Sequence, residues 1–317
     1  MPSIPLFVSP SQWLDKLIQE CTRLTPPGNF FHYSFNINAL LALILVSLCC
    51  GAVGSLVVGG RLAFFSDALA HCSFAGISIG FLLFLITGSR SEQEFWDSTT
   101  FVMVVFGILC GCGIVWVRTR TGLSSDTVIG VFFAGAVGLA AALKNLIQKR
   151  ALFNLEDFLF GNPLYAKGRE LILLACLTVF TAFLLAWMYN HLLLASFNSS
   201  LAMSRRVPVQ LVNYLFIVLL ALIVNLCLRL VGALLINALL IIPAAAAVNV
   251  SRNMRQLFWL SIGLTLLVGI GGQWLSWEMY AGAEIKLGIS GTTVLLSVIL
   301  FVLSMVLGPW LRARRAT

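Results

Sequence analysis

Residues 62–86 read LAFFSDALAHCSFAGISIGFLLFLI, an apolar stretch that carries one acid and one imidazole, Asp67 and His71. A membrane-spanning helix needs about 20 mostly apolar residues, and this stretch is long enough. Helical residues four apart lie one above the other, so both side chains point into one small space. Burying ionisable groups in a bilayer costs free energy, so such residues usually mark a polar path or a site. Borderline divalent metals bind carboxylate and imidazole, so the stretch predicts a membrane protein that handles a cation.

The composition of the whole chain agrees with a membrane protein. Of its 317 residues, 60% are hydrophobic and only 10% are charged, whereas soluble domains carry about 25% charged residues. We therefore predict an all-α, polytopic transmembrane helical bundle with eight or nine spans. The nine candidate windows are residues 36–60, 62–86, 98–117, 127–143, 171–190, 207–228, 230–250, 256–277 and 287–311.

Three regions follow from these windows. Residues 1–35 form an N-terminal extension, residues 36–311 a transmembrane domain, and residues 312–317 a basic tail. Within the extension, residues 10–24 place apolar side chains at helical spacing, which is typical of an amphipathic helix lying in the membrane interface. A short helix packed on the bundle is the alternative.

The distribution of arginine and lysine predicts the orientation. If the break at Gly59-Gly60-Arg61 is cytoplasmic, ten basic residues lie inside with Asp126, and five lie outside apart from the loop 144–169. This fits the positive-inside rule and makes residues 312–317 a cytoplasmic tail, although the loop itself carries five more basic residues. The resulting order of four, one and four spans is typical of an inverted-repeat transporter.

A second feature of residues 62–86 is a ridge of small residues beside the polar pair, at Ala68, Cys72, Gly76 and Gly80. Such ridges let helices approach closely in membranes. One reading of the polar pair is local: Asp67 caps the helix start and His71 satisfies it. The other is a metal site, in which two copies of the chain supply two carboxylates and two imidazoles for Zn²⁺, Mn²⁺ or Fe²⁺.

Residues 239–247, LLIIPAAAA, form another unusual segment, because Pro243 should kink or end a helix. A short polar and basic turn follows, containing Asn249, Arg252 and Arg255. Two readings stay open for it: a kinked span with an ordinary loop, or a short cytoplasmic helix that docks into a partner. Asn225 and Asn237 are expected to form hydrogen bonds between helices.

Several function classes are excluded or disfavoured by absent patterns. The chain has no G-x-x-x-x-G-K-[ST] loop, so we expect no ATP binding of that kind, and it has no recognisable catalytic signature, so we expect no enzyme. No basic stripe interleaved with aromatic residues suggests nucleic acid. Membrane lipid is the expected surrounding, and no permanently bound cofactor is expected.

The two unusual segments resemble the permease subunits of bacterial zinc, manganese and iron ABC importers of the ABC-3 type. The residues that carry the resemblance are Gly54-Ser55-Leu56-Val57-Val58 with Arg61 to His71, Val231-Gly232-Ala233-Leu234-Leu235 with residues 239–247, and the less specific turn Leu159-Phe160-Gly161-Asn162. Cys72 departs from the usual Ser or Ala after the histidine, and either shifts metal preference or only packs.

The resemblance implies a type II ABC importer-like homodimer in the bacterial cytoplasmic (inner) membrane, driven by a separate cytoplasmic ABC ATPase dimer and supplied by an extracytoplasmic metal-binding protein. It implies that Asp67 and His71 face the path. It also implies that the segment with Pro243, Asn249, Arg252 and Arg255 contacts the ATPase. We therefore expect import of zinc, manganese or iron by alternating access. The alternatives are a permease for a metal chelate or cobalamin, and a proton-coupled secondary transporter in which Asp67 and His71 relay protons.

Overall fold

The computed structural model describes residues 10–26, 28–87, 92–148, 160–161, 163–197 and 208–313, and within them the regular structure is helical. Among these residues, nine helices, α2 to α10, are long and apolar enough to cross a membrane, which confirms the predicted helical bundle and gives nine candidate spans. The ten long helices are α1 (Pro10–Leu24), α2 (Ser34–Gly59), α3 (Ala63–Thr87), α4 (Glu92–Thr121), α5 (Ser125–Gln148), α6 (Gly168–Phe197), α7 (Val209–Val231), α8 (Ala233–Val250), α9 (Met254–Ala283) and α10 (Ile289–Ala313).

The helix breaks follow local backbone chemistry. The predicted break at residues 59–61 is confirmed, since α2 ends at Gly59 and Arg61 adopts a positive φ of 55°. The boundary between the sixth and seventh spans lies at Gly232, with φ 86°, rather than at Arg229 where the charge suggested it. Pro243 was expected to kink or end its helix, and of these two alternatives the end is wrong, because α8 runs through Pro243. Membrane helices tolerate an internal proline because neighbouring groups re-satisfy the freed backbone.

Helices α2 and α8 form the centre of the bundle, where Leu43, Leu235 and Leu240 are completely buried. Helices α9 and α10 pack on one side of this pair, whereas α3 contacts α4, α5 and α7 on the other. The small ridge on α3 is confirmed as a packing surface. A Cβ on Gly76 would lie 2.9 Å from the Cα of Met103, and one on Gly80 would lie 3.0 Å from the Cα of Thr99, both on α4.

Hydrogen bonds between helices fix which ends lie together. The Gln273 side chain, near the end of α9, donates from Nε2 to the Asn36 carbonyl at the start of α2 at 2.9 Å. Ser261 Oγ donates to the Gly51 carbonyl at 2.8 Å deeper along the same pair. These bonds pair α2 and α9 antiparallel. Consecutive spans cross the membrane in alternate directions, so the first and the eighth candidate spans should run in opposite directions.

The predicted helix at residues 10–24 is confirmed as α1. It contacts the start of α6, and its Ile18 is buried, while Trp13 and Leu24 remain 60% and 86% exposed. The helix therefore packs on the bundle through one edge and leaves Trp13 and Leu24 uncovered, while its position in the membrane interface stays a prediction. The tail beyond residue 313 and, in the loop 144–169, residues 149–159 and 162 lie outside the described residues.

An ion pair ties α6 to α7. Arg229 Nη2 lies 3.2 Å from Glu170 Oε1, and Arg229 Nη1 donates to Thr100 Oγ1 of α4 at 3.3 Å. Arg229 is therefore a pairing residue among three helices. Because each side chain is about a quarter exposed, the pair is partly shielded from solvent and lipid.

Candidate metal-translocation site

Helix α3 places Asp67 and His71 together, as predicted. Asp67 is the fifth residue of α3, which begins at Ala63, so it lies inside the helix and does not cap its start. The separation of His71 Nδ1 from Asp67 Oδ1 is 3.7 Å, so the two side chains are neighbours without a direct hydrogen bond. The Asp67 side chain is 43% exposed and the His71 side chain is 25% exposed, so both can be reached from outside the chain's own core.

The hydrogen bond of His71 determines which ring nitrogen is free. His71 Nδ1 lies 2.9 Å from the backbone carbonyl oxygen of Asp67, and a carbonyl only accepts. Nδ1 therefore donates, and in the neutral ring the lone pair lies on Nε2. Metal-ligating histidines usually donate their other ring N–H in this way, which orients the ring and fixes the tautomer. Phe133 of α5, with ring centroids 4.6 Å apart, limits rotation of the imidazole further.

A third polar residue completes the arrangement. Asn237, the fifth residue of α8, donates from Nδ2 to Asp67 Oδ1 at 2.7 Å. The sequence predicted that Asn237 bonds between helices, but the partner was not predictable because it lies 170 residues away. The bond links the helix of the first unusual segment to that of the second. Within the described residues, no cluster of three or more His, Cys, Asp and Glu side chains forms.

Two glycines set the position of α8 beside this pair. Gly161, with φ 56°, and Gly232, with φ 86°, touch backbone to backbone, and a Cβ on Gly161 would overlap the Gly232 nitrogen. Both adopt conformations that other residues reach only at a cost. The turn at Phe160 and Gly161 thus rests on the start of α8, about one helical turn before Asn237.

Cys72 does not face the polar pair. It is completely buried among the apolar side chains of the core. Of the two sequence readings of this residue, packing is the one that the structure supports.

The four residues predicted to contact an ATPase lie in two environments. Pro243 is buried, and Asn249 donates from Nδ2 to Ser304 Oγ of α10 at 2.9 Å. Arg252 and Arg255 are exposed around the start of α9, where Asn253 accepts from the Gln256 N–H at 2.8 Å. The prolyl segment is therefore helical and internal, while the two arginines form a charged surface at its end.

The nine candidate spans among the described residues indicate a multi-pass membrane protein, and one of these spans carries the carboxylate–imidazole pair. Residues 32–308 match the ABC 3 transport family, and the chain belongs to that family. It is thus a permease of the metal-ion ABC importer class.

Similar proteins include zinc and manganese permeases. The chain is 31% identical over 265 residues to the high-affinity zinc uptake system membrane protein ZnuB of Buchnera aphidicola, covering 83% of this chain and 94% of that one. It is 27% identical over 277 residues to the manganese import system permease protein ScaB of Streptococcus parasanguinis, covering 87% and 92%. An uncharacterized membrane protein of Synechocystis is 31% identical over 258 residues, covering 80% and 87%.

Solved structures share the fold. PsaBC from Streptococcus pneumoniae, in complex with Fab, superimposes with a TM-score of 0.70 at 25% identity, covering 88% of this chain and 94% of that one. An inward-facing metal-chelate type ABC transporter matches with a TM-score of 0.59 at 19% identity, covering 85% of each chain. The second likeness concerns the fold alone.

Proposed function

We propose that this chain is the membrane permease of an ATP-driven importer of divalent transition metal ions, with Asp67 and His71 as ligands of the travelling ion. The observation that carries the proposal is the accessible Asp67 carboxylate beside a His71 ring whose Nδ1 is already bonded, leaving Nε2 for a metal. One carboxylate and one imidazole bind an ion weakly by themselves, which suits a site that must release it.

A second copy of the chain completes the site. The pair lies between Phe133 of α5 and Asn237 of α8, and both of its side chains keep part of their surface exposed. Two copies meeting at this surface bring two carboxylates and two imidazoles around one axis, the number of ligands that Zn²⁺ takes and most of those that Mn²⁺ or Fe²⁺ needs. Paired ligands of this kind suit a bare ion better than a metal chelate or cobalamin.

The membrane and the partner proteins that we propose are those of the family. We place the permease in the bacterial cytoplasmic membrane, with an extracytoplasmic metal-binding protein delivering the ion. A separate cytoplasmic ATPase drives alternating access. The relatives named for zinc and for manganese leave both metals open, and iron with them.

The exposed arginines at the start of α9 are the proposed contacts of the ATPase, with Pro243 and Asn249 shaping the helix that presents them. Reversing both charges, Arg252→Glu with Arg255→Glu, is expected to reduce the amount of ATPase that co-purifies with the permease by about tenfold, because like charges replace complementary ones. Quantitative blotting of the purified complex measures this.

The matched control is the double reversal of Arg118 and Arg120, which end α4 on the same predicted side of the membrane. This control should retain the ATPase. Equal retention by both double variants would rule out the assignment of Arg252 and Arg255.

A further inference from the structure

Two asparagines on neighbouring helices form hydrogen bonds to helix α3, and their hydrogen-bond partners differ. Asn225 of α7 accepts from Ser73 Oγ at 2.6 Å and donates from Nδ2 to the Ala221 carbonyl at 2.6 Å. Both ends of its amide are therefore satisfied, and it is completely buried. Such an asparagine joins two helices, and both ends of its amide are used within the bundle.

Asn237 has a different pattern. Its Nδ2 donates to Asp67 Oδ1 at 2.7 Å, whereas its Oδ1 is buried and has no hydrogen-bond partner among the described residues. The orientation of the amide is fixed by chemistry, because an ionised carboxylate only accepts and the amide oxygen facing it would be repelled. The one hydrogen bond of the Asn237 side chain thus goes to the carboxylate of the site.

This bond determines how Asp67 is presented. Oδ1 is occupied by Asn237, and Oδ2 has no partner among the described residues, so one carboxylate oxygen is held while the other is left for a ligand. The Asp67 backbone carbonyl holds His71 Nδ1 at the same time. The two free donor atoms, Asp67 Oδ2 and His71 Nε2, are therefore fixed by neighbouring groups before any ion arrives.

We propose that Asn237 is a positioning residue of the metal site, which acts on the ion through Asp67. The inference rests on the proposed role of Asp67 and His71 as ligands and adds a residue from a different helix. Asn237 reaches Asp67 because α8 starts at the Gly161–Gly232 contact, one helical turn away. Hydrogen bonds to a ligand typically change metal affinity by about 10- to 100-fold.

The test compares uptake kinetics of Mn²⁺ in cells that express the full-length permease with its ATPase. Asn237→Leu keeps the branched shape and removes the donor, and we expect the KM for Mn²⁺ to rise by at least about tenfold with the maximal rate changed less than about twofold. Asn237→Thr restores a hydroxyl donor and should recover part of the affinity. Asn237→Asp places a second acceptor against Asp67 and should behave like the leucine variant or worse.

Asn225→Leu is the matched control, because it removes an asparagine amide that bonds α3 from a different helix, α7. We expect this variant to lower the thermal unfolding temperature of the purified protein while leaving the KM unchanged. An unchanged KM in Asn237→Leu, or a KM that rises equally in Asn225→Leu, would overturn the positioning role.

Failure of this inference is distinguishable from failure of the proposed function. If Asp67→Ala abolishes uptake while all three Asn237 variants keep the normal KM, Asp67 and His71 remain the proposed ligands and Asn237 has only a structural role. If Asp67→Ala transports normally, the metal site itself is wrong. Should Asn237→Leu fail to reach the membrane, the polar variants Asn237→Thr and Asn237→Asp give the same comparison.

Discussion

Replacing Asp67 or His71 by alanine is expected to reduce metal uptake to the background of cells that lack the permease. In the proposed site each chain contributes two ligands, so one substitution removes half of the ligands that a pair of copies would offer. The loss of affinity should exceed about 100-fold, more than the removal of a group that merely orients a ligand. Uptake of radioactive Mn²⁺ and Zn²⁺, normalised to permease in the membrane, measures it.

The effect must be separated from a folding defect. Both side chains are partly exposed, so their truncation opens no core cavity, and the purified variants should elute and melt like the unmodified chain. Asp126→Ala, which removes an exposed carboxylate at the start of α5, is the control and should transport normally. Normal uptake by both Asp67→Ala and His71→Ala would refute the ligand role and would favour a path elsewhere.

The second large effect is expected at Gly232. Gly232→Ala should destabilise the folded chain by about 2–5 kcal/mol, because a residue with a Cβ is strained at positive φ and the added methyl meets the backbone of Phe160 and Gly161. The contact is backbone against backbone, so no side chain can rotate away. Thermal unfolding of the purified protein in detergent measures the loss, together with the fraction that elutes as a single species.

Gly263→Ala provides the matched control for that substitution. Gly263 lies inside α9 with nothing within 4 Å of the position of a Cβ, so alanine there should be neutral or slightly stabilising. Equal melting temperatures for Gly232→Ala and Gly263→Ala would show that the turn at Gly161 does not hold the start of α8.

The helices were predictable because bilayer thickness and apolar composition determine them. A window of about 20 uncharged residues has few alternatives to a spanning helix, which is why α3 and α8 begin within three residues of their windows. The pairing of Asp67 with His71 was predictable for the same reason, since both lie on one helix and its 3.6-residue period brings them together.

Contacts between distant segments were not predictable from periodicity. Nothing in the spacing of residues 62–86 indicates that Asn237 bonds to Asp67, because that contact depends on how α3 and α8 pack. The boundary at Gly232 was misplaced at Arg229 for a related reason. Charge usually marks the end of a span, but Arg229 is paired with Glu170 inside the bundle, and the φ of Gly232 ends the helix instead.

Proline was the other residue whose effect the sequence overstated. Pro243 would end a helix in water, where the freed carbonyl is easily solvated and the chain can turn away. In α8 it is surrounded by packed helices, which hold the backbone in place on both sides.

Metal binding by the purified full-length protein tests the proposed site most directly. Titration with Mn²⁺, followed by electron paramagnetic resonance with detection of coupled nitrogen, reports both stoichiometry and the presence of imidazole in the ligand shell. We expect one ion for each pair of chains, a nitrogen signal that His71→Ala removes, and no bound ion after Asp67→Ala with His71→Ala. Undiminished Mn²⁺ binding in that double variant would contradict the assignment of the site.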